Sequence, residues 1–244
     1  MAQTILITSG KGGVGKSSSS VFIGYALARR QKRVLIVELD AGLRGLDIML
    51  GVENKTAYNM GDILLGRCDP YDAVVVSDYQ SGLSLLPAPG EHWEDLKQAD
   101  LVWLVKSISA YYDYILLDSP AGFGKGFRIG ISVADKAILV VTPDPICVRD
   151  GAIASRMLQK YGVSEQRLLI NRVKQQYARM ELLPNLDTVI DQTGVQLIGV
   201  VPDDIMVMKA GAKGVPLPPG NKAYQAYDNI GKRLLGQYCP LAVG

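Results

Sequence analysis

The chain is poor in the residues that build metal centres and disulfide frameworks. It holds one histidine, His92, and three cysteines, Cys68, Cys147 and Cys239, widely separated and without a CxxC pair. That spacing offers neither a zinc site nor a set of bridges. No stretch approaches the roughly 20 apolar residues of a membrane span. The N-terminus, Met1-Ala2-Gln3-Thr4, lacks the basic and apolar regions of a signal peptide. There is no internal repeat, no low-complexity tract beyond residues 17–20, and no Pro/Gly-rich linker that would divide the chain. These absences favour a cytosolic globular protein, expected as one domain over residues 1–244.

What is present fits that class: 48% hydrophobic and 20% charged residues, as in ordinary globular chains. Charge is unevenly placed. Residues 1–122 hold 11 basic and 14 acidic side chains, and residues 123–244 hold 15 and 10. A basic second half is compatible with nucleic acid or an anionic membrane surface. No run of basic residues exceeds two, however, so a solvated surface is the simpler reading.

Short apolar runs recur at residues 5–8, 34–39, 83–86, 114–117, 137–142, 168–170 and 197–201. They lack strict alternation, as strands covered on both faces do. Helix-length segments lie between most of them, at 16–30, 94–110, 148–161, 180–192 and 223–235. The alternation predicts a doubly wound, mostly parallel sheet flanked by helices, a three-layer α/β sandwich.

Gly10-Lys11-Gly12-Gly13-Val14-Gly15-Lys16-Ser17 fits the phosphate-loop pattern G-x-x-x-x-G-K-[ST], after a predicted strand and before a predicted helix. Glycines let backbone N–H groups close around phosphates, Lys16 reaches the β- and γ-phosphates, and the Ser17 hydroxyl is placed for Mg²⁺. Ser18 completes the expected nucleotide-binding run. Lys11, on the opposite lip, is poorly placed for its own nucleotide and better placed for that of a second subunit.

Parallel sheets bind ligands beyond the carboxyl ends of their strands, and several ends here are polar. Asp118, opening Asp118-Ser119-Pro120-Ala121-Gly122, stands where a Mg²⁺-binding carboxylate stands in phosphate-loop enzymes. Ser119 follows it, so the glutamate that often activates water is absent there. Asp40, after the run 34–39, is the nearest replacement, and a turn role for it stays open. Asn171 and Arg172 follow 168–170, and Pro202, Asp203 and Asp204 follow 197–201. A capping or turn role for Asn171 also stays open.

The run from Ser9 to Ser17 resembles the deviant phosphate loop of the MinD/ParA ATPases. Residues 40–51, 118–122 and 147–150 are similar to the switch and Val-Arg-Asp segments of its MinD branch. Over roughly residues 3–238 the resemblance implies a P-loop ATPase that binds ATP/ADP and Mg²⁺ and forms a homodimer with ATP. Lys11 would then cross to the partner's ATP, Lys16 would hold the phosphates and Asp40 would orient water. Ser17, Asp40 and Asp118 would surround the metal, and Asn171, Arg172, Pro202, Asp203 and Asp204 would meet the adenine. It further implies a role in division-site selection with a regulator of MinC/MinE type. The alternative is a ParA-like or flagellar-number-type positioning ATPase acting on nucleoid DNA or a polar organelle. Reductase or metal-insertion relatives on this fold would need paired cysteines that the chain lacks. Two departures stand out: Gly45 replaces the usual asparagine, and Phe123-Gly124-Lys125-Gly126 extends the second switch. The stripe Tyr224, Tyr227, Ile230, Leu234, Leu235 and Tyr238 is expected to pack on the body, leaving a tail at 241–244 too short and uncharged to hold a bilayer.

Overall fold

The computed structural model describes residues 1–40, 45–90, 96–174 and 184–241. Its strands are β1 (Gln3–Thr8), β2 (Val34–Glu38), β3 (Val75–Val76), β4 (Leu83–Leu86), β5 (Tyr114–Asp118), β6 (Lys136–Val141), β7 (Gln166–Val173) and β8 (Leu197–Pro202). They form one eight-stranded sheet in the order β3-β4-β2-β5-β1-β6-β7-β8. All neighbours are parallel except β3, which pairs antiparallel with β4 at the edge. The helices are α1 (Lys16–Ala28), α2 (Leu46–Met49), α3 (Met60–Leu64), α4 (Gln98–Ile108), α5 (Lys125–Ile131), α6 (Pro145–Lys160), α7 (Leu186–Thr193), α8 (Ile205–Lys213) and α9 (Lys222–Leu234).

The expected doubly wound sheet is present, and its core explains the continuous apolar runs. Along β1, Ile5 and Ile7 face one buried cluster while Leu6 faces the other. In β2, Val34 and Ile36 join the first cluster, and Leu35 and Val37 the second. Successive strand residues point to opposite faces, so a strand covered on both sides must be apolar at every position.

Several boundaries differ from expectation. β7 runs on through Val173 rather than ending at residue 170, so Asn171 and Arg172 lie within the strand. The two-residue β3 is too short to give a periodic signal. Among the described residues, four helices lie outside the expected segments: α2 and α3 span only 4 and 5 residues, and in α5 and α8 glycines interrupt the apolar spacing. The expected helix 180–192 falls partly on residues 175–183, outside the described residues; the described part is Leu186–Thr193.

The last helix packs as expected, with Tyr227 and Ile230 fully buried against α1 and β8. Tyr238, by contrast, does not continue the stripe. The helix stops at Leu234, Gly236 takes the left-handed conformation, and Tyr238 is 94% exposed. Among the described residues no helix is long and apolar enough to cross a membrane.

Candidate nucleotide-binding site

β1 sits centrally between β5 and β6, where the sheet order turns in opposite directions. A crevice opens at such a switch point beyond the strand ends. The loop after β1 occupies it and leads into α1, whose first-turn N–H groups have no partners within the helix. Gly13 and Gly15 hold left-handed φ values of 74° and 95°, which a side chain would strain. Gly10 is needed for space instead: a Cβ there would lie 2.5 Å from the Asp150 carbonyl oxygen of the Val-Arg-Asp segment.

The loop's carbonyls are held by side chains around it. Ser9 Oγ donates to the Lys11 carbonyl at 2.6 Å, and Arg172 Nη1 to that of Gly13 at 2.9 Å. Asn171 Nδ2 reaches Val14 O at 2.8 Å, and Ser19 Oγ reaches Gly15 O at 2.8 Å. A planar trans peptide points its N–H opposite its C=O. Carbonyls tied away from the crevice therefore leave the N–H groups turned toward an anion.

Lys16 is buried, and its Nζ donates to Ser9 Oγ at 3.1 Å. Burial lowers its pKa, while Asp118 and Asp40 pull toward the charged form. Below it, Asp118 is 1% exposed and accepts from Ser17 Oγ at 2.7 Å and from Ser20 Oγ at 2.8 Å. Desolvation pushes the Asp118 carboxyl up to about 6, against the lowering effect of the two hydroxyls and Lys16. Asp40 is half-buried at the next strand end, with burial raising its pKa and Lys16 lowering it. Residues 41–44 of the first switch lie outside the described residues.

Lys11 is exposed on the outer lip, where its Nζ lies 3.3 Å from Asp144 Oδ1. Asp144 also caps α6 by accepting from the Cys147 N–H at 2.9 Å, which holds its carboxyl below the usual range. At the other end of the crevice Asp204 caps α8 through the Met206 N–H and accepts from Asn221 Nδ2 at 2.7 Å. Asp203 faces Lys174 at 3.5 Å, and Pro202 ends β8, half-buried. The structure thus gathers Ser9 to Ser20, Asp118, Asn171 and Arg172 around one loop, whereas the carboxyls of Asp203 and Asp204 are engaged elsewhere.

Glu38 is the residue the sequence reading missed. It is 2% exposed and pairs in register with Asp118 on β5. Its Oε1 accepts from the N–H groups of Gly45 and Leu46, and its Oε2 from that of Ala88. Burial raises its pKa despite these donors. The signal was a lone acid ending the apolar run of β2.

The donor set fits Mg²⁺ with a nucleotide. Mg²⁺ binds through few protein oxygens and keeps phosphate and water ligands. Ser17 Oγ and Asp118 supply hard oxygens side by side, and among the described residues no cluster of three or more His, Cys, Asp or Glu forms a closed cage.

Comparison with known proteins agrees with this geometry. Residues 5–217 match the CobQ/CobB/MinD/ParA nucleotide binding domain. The chain is 37% identical over 248 residues to the septum site-determining protein MinD of Bacillus subtilis (strain 168), covering 100% of this chain and 92% of that one. It superposes on a MinD chain of the Aquifex aeolicus MinC:MinD cell division protein complex with a TM-score of 0.93 at 36% identity, covering 99% of each. The Pyrococcus horikoshii OT3 septum site-determining protein MinD, complexed with Mg-ADP, gives 0.86 at 28% identity over 96% of each. With the match spanning most of its length and the loop, switch carboxylates and strand order in place, this chain belongs to the MinD branch of the MinD/ParA nucleotide-binding family.

Proposed function

We propose that the chain is a Mg-dependent ATPase that dimerises on ATP, hydrolyses it to ADP and phosphate, and uses the cycle as a switch in division-site selection. The observation that carries the reading is the division of labour between its two loop lysines. Lys16 is buried against Ser9 inside the loop, and Lys11 stands exposed on the outer lip. A lysine on the outer lip can serve a second subunit as an arginine finger serves its partner, adding charge where the transition state needs it.

Within one subunit, the loop N–H groups and Lys16 bind the phosphates, and Ser17 with Asp118 holds the metal side. Mg²⁺, when bound, neutralises charge developing on the phosphate oxygens. Asp40, at the neighbouring strand end, orients the attacking water. Asn171 supports adenine over guanine. Its Nδ2 is committed to Val14, and the remaining amide oxygen accepts from a 6-amino group but not from a 6-oxo group.

A MinC-type regulator is the favoured partner, because a structural relative was solved with MinC and curated relatives carry septum-site names. Static light scattering tests the central step. Mg-ATP should double the mass and Mg-ADP should not. An unchanged mass with saturating ATP in a hydrolysis-deficient variant would overturn the reading.

A further inference from the structure

Two non-glycine residues among those described have positive φ, Gln31 at 60° and Arg172 at 55°. Gln31 closes the turn after α1, where its N–H donates to the Ala28 carbonyl, a common place for this conformation. Arg172 lies inside β7, at the point where the register with β8 shifts between Ile170 and Val173. A left-handed arginine within a strand is strained, and here it sits in a β-bulge, where Asn171 and Arg172 together oppose one residue of β8.

What the conformation achieves is reach. Arg172 Nη1 donates to Gly13 O at 2.9 Å, next to the Asn171 bond to Val14 O. Gly13 has nothing within 4 Å of the position a Cβ would take, so no neighbouring atom confines the glycine on that side. The Gly13 carbonyl and the Val14 N–H share one peptide plane. Pulling the carbonyl toward Arg172 turns that N–H the opposite way, into the crevice.

We infer that Arg172 is a positioning residue of the phosphate loop, its strained backbone spent on fixing the Gly13–Val14 peptide for the phosphates of a nucleoside diphosphate or triphosphate. This rests on the nucleotide-binding reading above. It also moves Arg172 from the base to the loop, so the base should not matter to its effect.

The test uses three variants of the full chain: Arg172→Ala, Arg172→Gly and Arg172→Lys. Calorimetry measures affinity for Mg-ADP and Mg-IDP, and thermal melting measures stability. Losing one charge-assisted hydrogen bond should weaken both nucleotides by about tenfold in Arg172→Ala. Arg172→Gly relieves the backbone strain, so its melting temperature should equal or exceed that of Arg172→Ala while its affinity falls equally. Arg172→Lys, which keeps a donor, should recover part of the loss. Unchanged affinity in both the Ala and Gly variants would overturn the inference, as would a loss confined to Mg-ADP, which would mark a contact with the adenine. A wild-type chain that takes up neither nucleotide would overturn the nucleotide-binding reading along with it.

Discussion

Lys11 Nζ is paired with Asp144 Oδ1 of its own chain at 3.3 Å, and the two side chains are 44% and 45% exposed. A lysine that serves a second subunit must first leave this partner. Half-exposed ion pairs contribute only about 0.2–1 kcal/mol, so Asp144 can hold Lys11 in the monomer without blocking its transfer. Asp144→Asn separates this charge from the helix cap, since asparagine caps as well as aspartate. The variant should keep its melting temperature and dimerise at Mg-ATP concentrations lower by up to about fivefold. Titration followed by light scattering checks this, and a curve that coincides with wild type would show that the pair does not compete with dimerisation.

The two loop lysines should separate cleanly in binding assays. Lys16 is buried within the loop, so Lys16→Ala is expected to lose nucleotide binding. Lys11→Ala should bind Mg-ATP as an isolated subunit with near-normal affinity and lose turnover, because its contribution belongs to the dimeric transition state. Equal loss of ATP affinity in the two variants would remove the role in trans.

Burial of Asp118 predicts a pH dependence of the nucleotide-free and metal-free chain. Its carboxyl sits at about 6, above the ordinary 3.8, so the folded state binds the proton more tightly than the unfolded chain does. That contribution is fully present below about pH 4 and is lost as pH rises through about 6. Asp118→Asn has no charge to bury. It should gain stability relative to wild type between pH 4 and 7, and it should lose the extra stabilisation that Mg²⁺ adds to ADP. Melting curves across that range, with and without Mg-ADP, measure both effects. A difference between the two proteins that does not change with pH would contradict the stated cause.

The site was legible in the sequence where its parts are local. The phosphate loop from Gly10 to Ser17 is contiguous, and its context of strand and helix follows from apolar runs on either side. Ser20 was less visible, although Ser17 and Ser20 lie three apart on α1 and so share a face; both reach Asp118. Glu38 and Arg172 act across the fold, one on Gly45, Leu46 and Ala88, the other on Gly13. Such pairings depend on how strands are ordered and registered, which periodicity does not encode. The extension of β7 past residue 170 was hidden for a related reason. Asn171 and Arg172 are polar, and they belong to the strand only because its pairing with β8 resumes beyond them at Val173.

Asp40→Ala should yield a long-lived ATP dimer. Asp40 stands just past the end of β2, half-buried, with burial raising its pKa and Lys16 opposing that shift. The loop carbonyl contacts, Ser17 and Asp118 do not run through it, so Mg-ATP binding should survive its removal. Orienting a nucleophile through one side chain contributes typically about 10²–10⁴-fold, and turnover should fall by at least the lower figure while ATP affinity changes little. If Asp40 served only as a turn former, alanine would lower the melting temperature and leave turnover per folded molecule nearly intact. Melting temperature, ATP affinity and phosphate release measured on one preparation separate the two outcomes. Glu38, two residues before Asp40, sharpens the comparison, because Glu38→Gln disturbs the anchoring of Gly45, Leu46 and Ala88. That variant should lose stability, whereas Asp40→Ala should not. Near-normal turnover in folded Asp40→Ala would move the water-orienting role to another carboxylate of the first switch, with Asp47 the next to test.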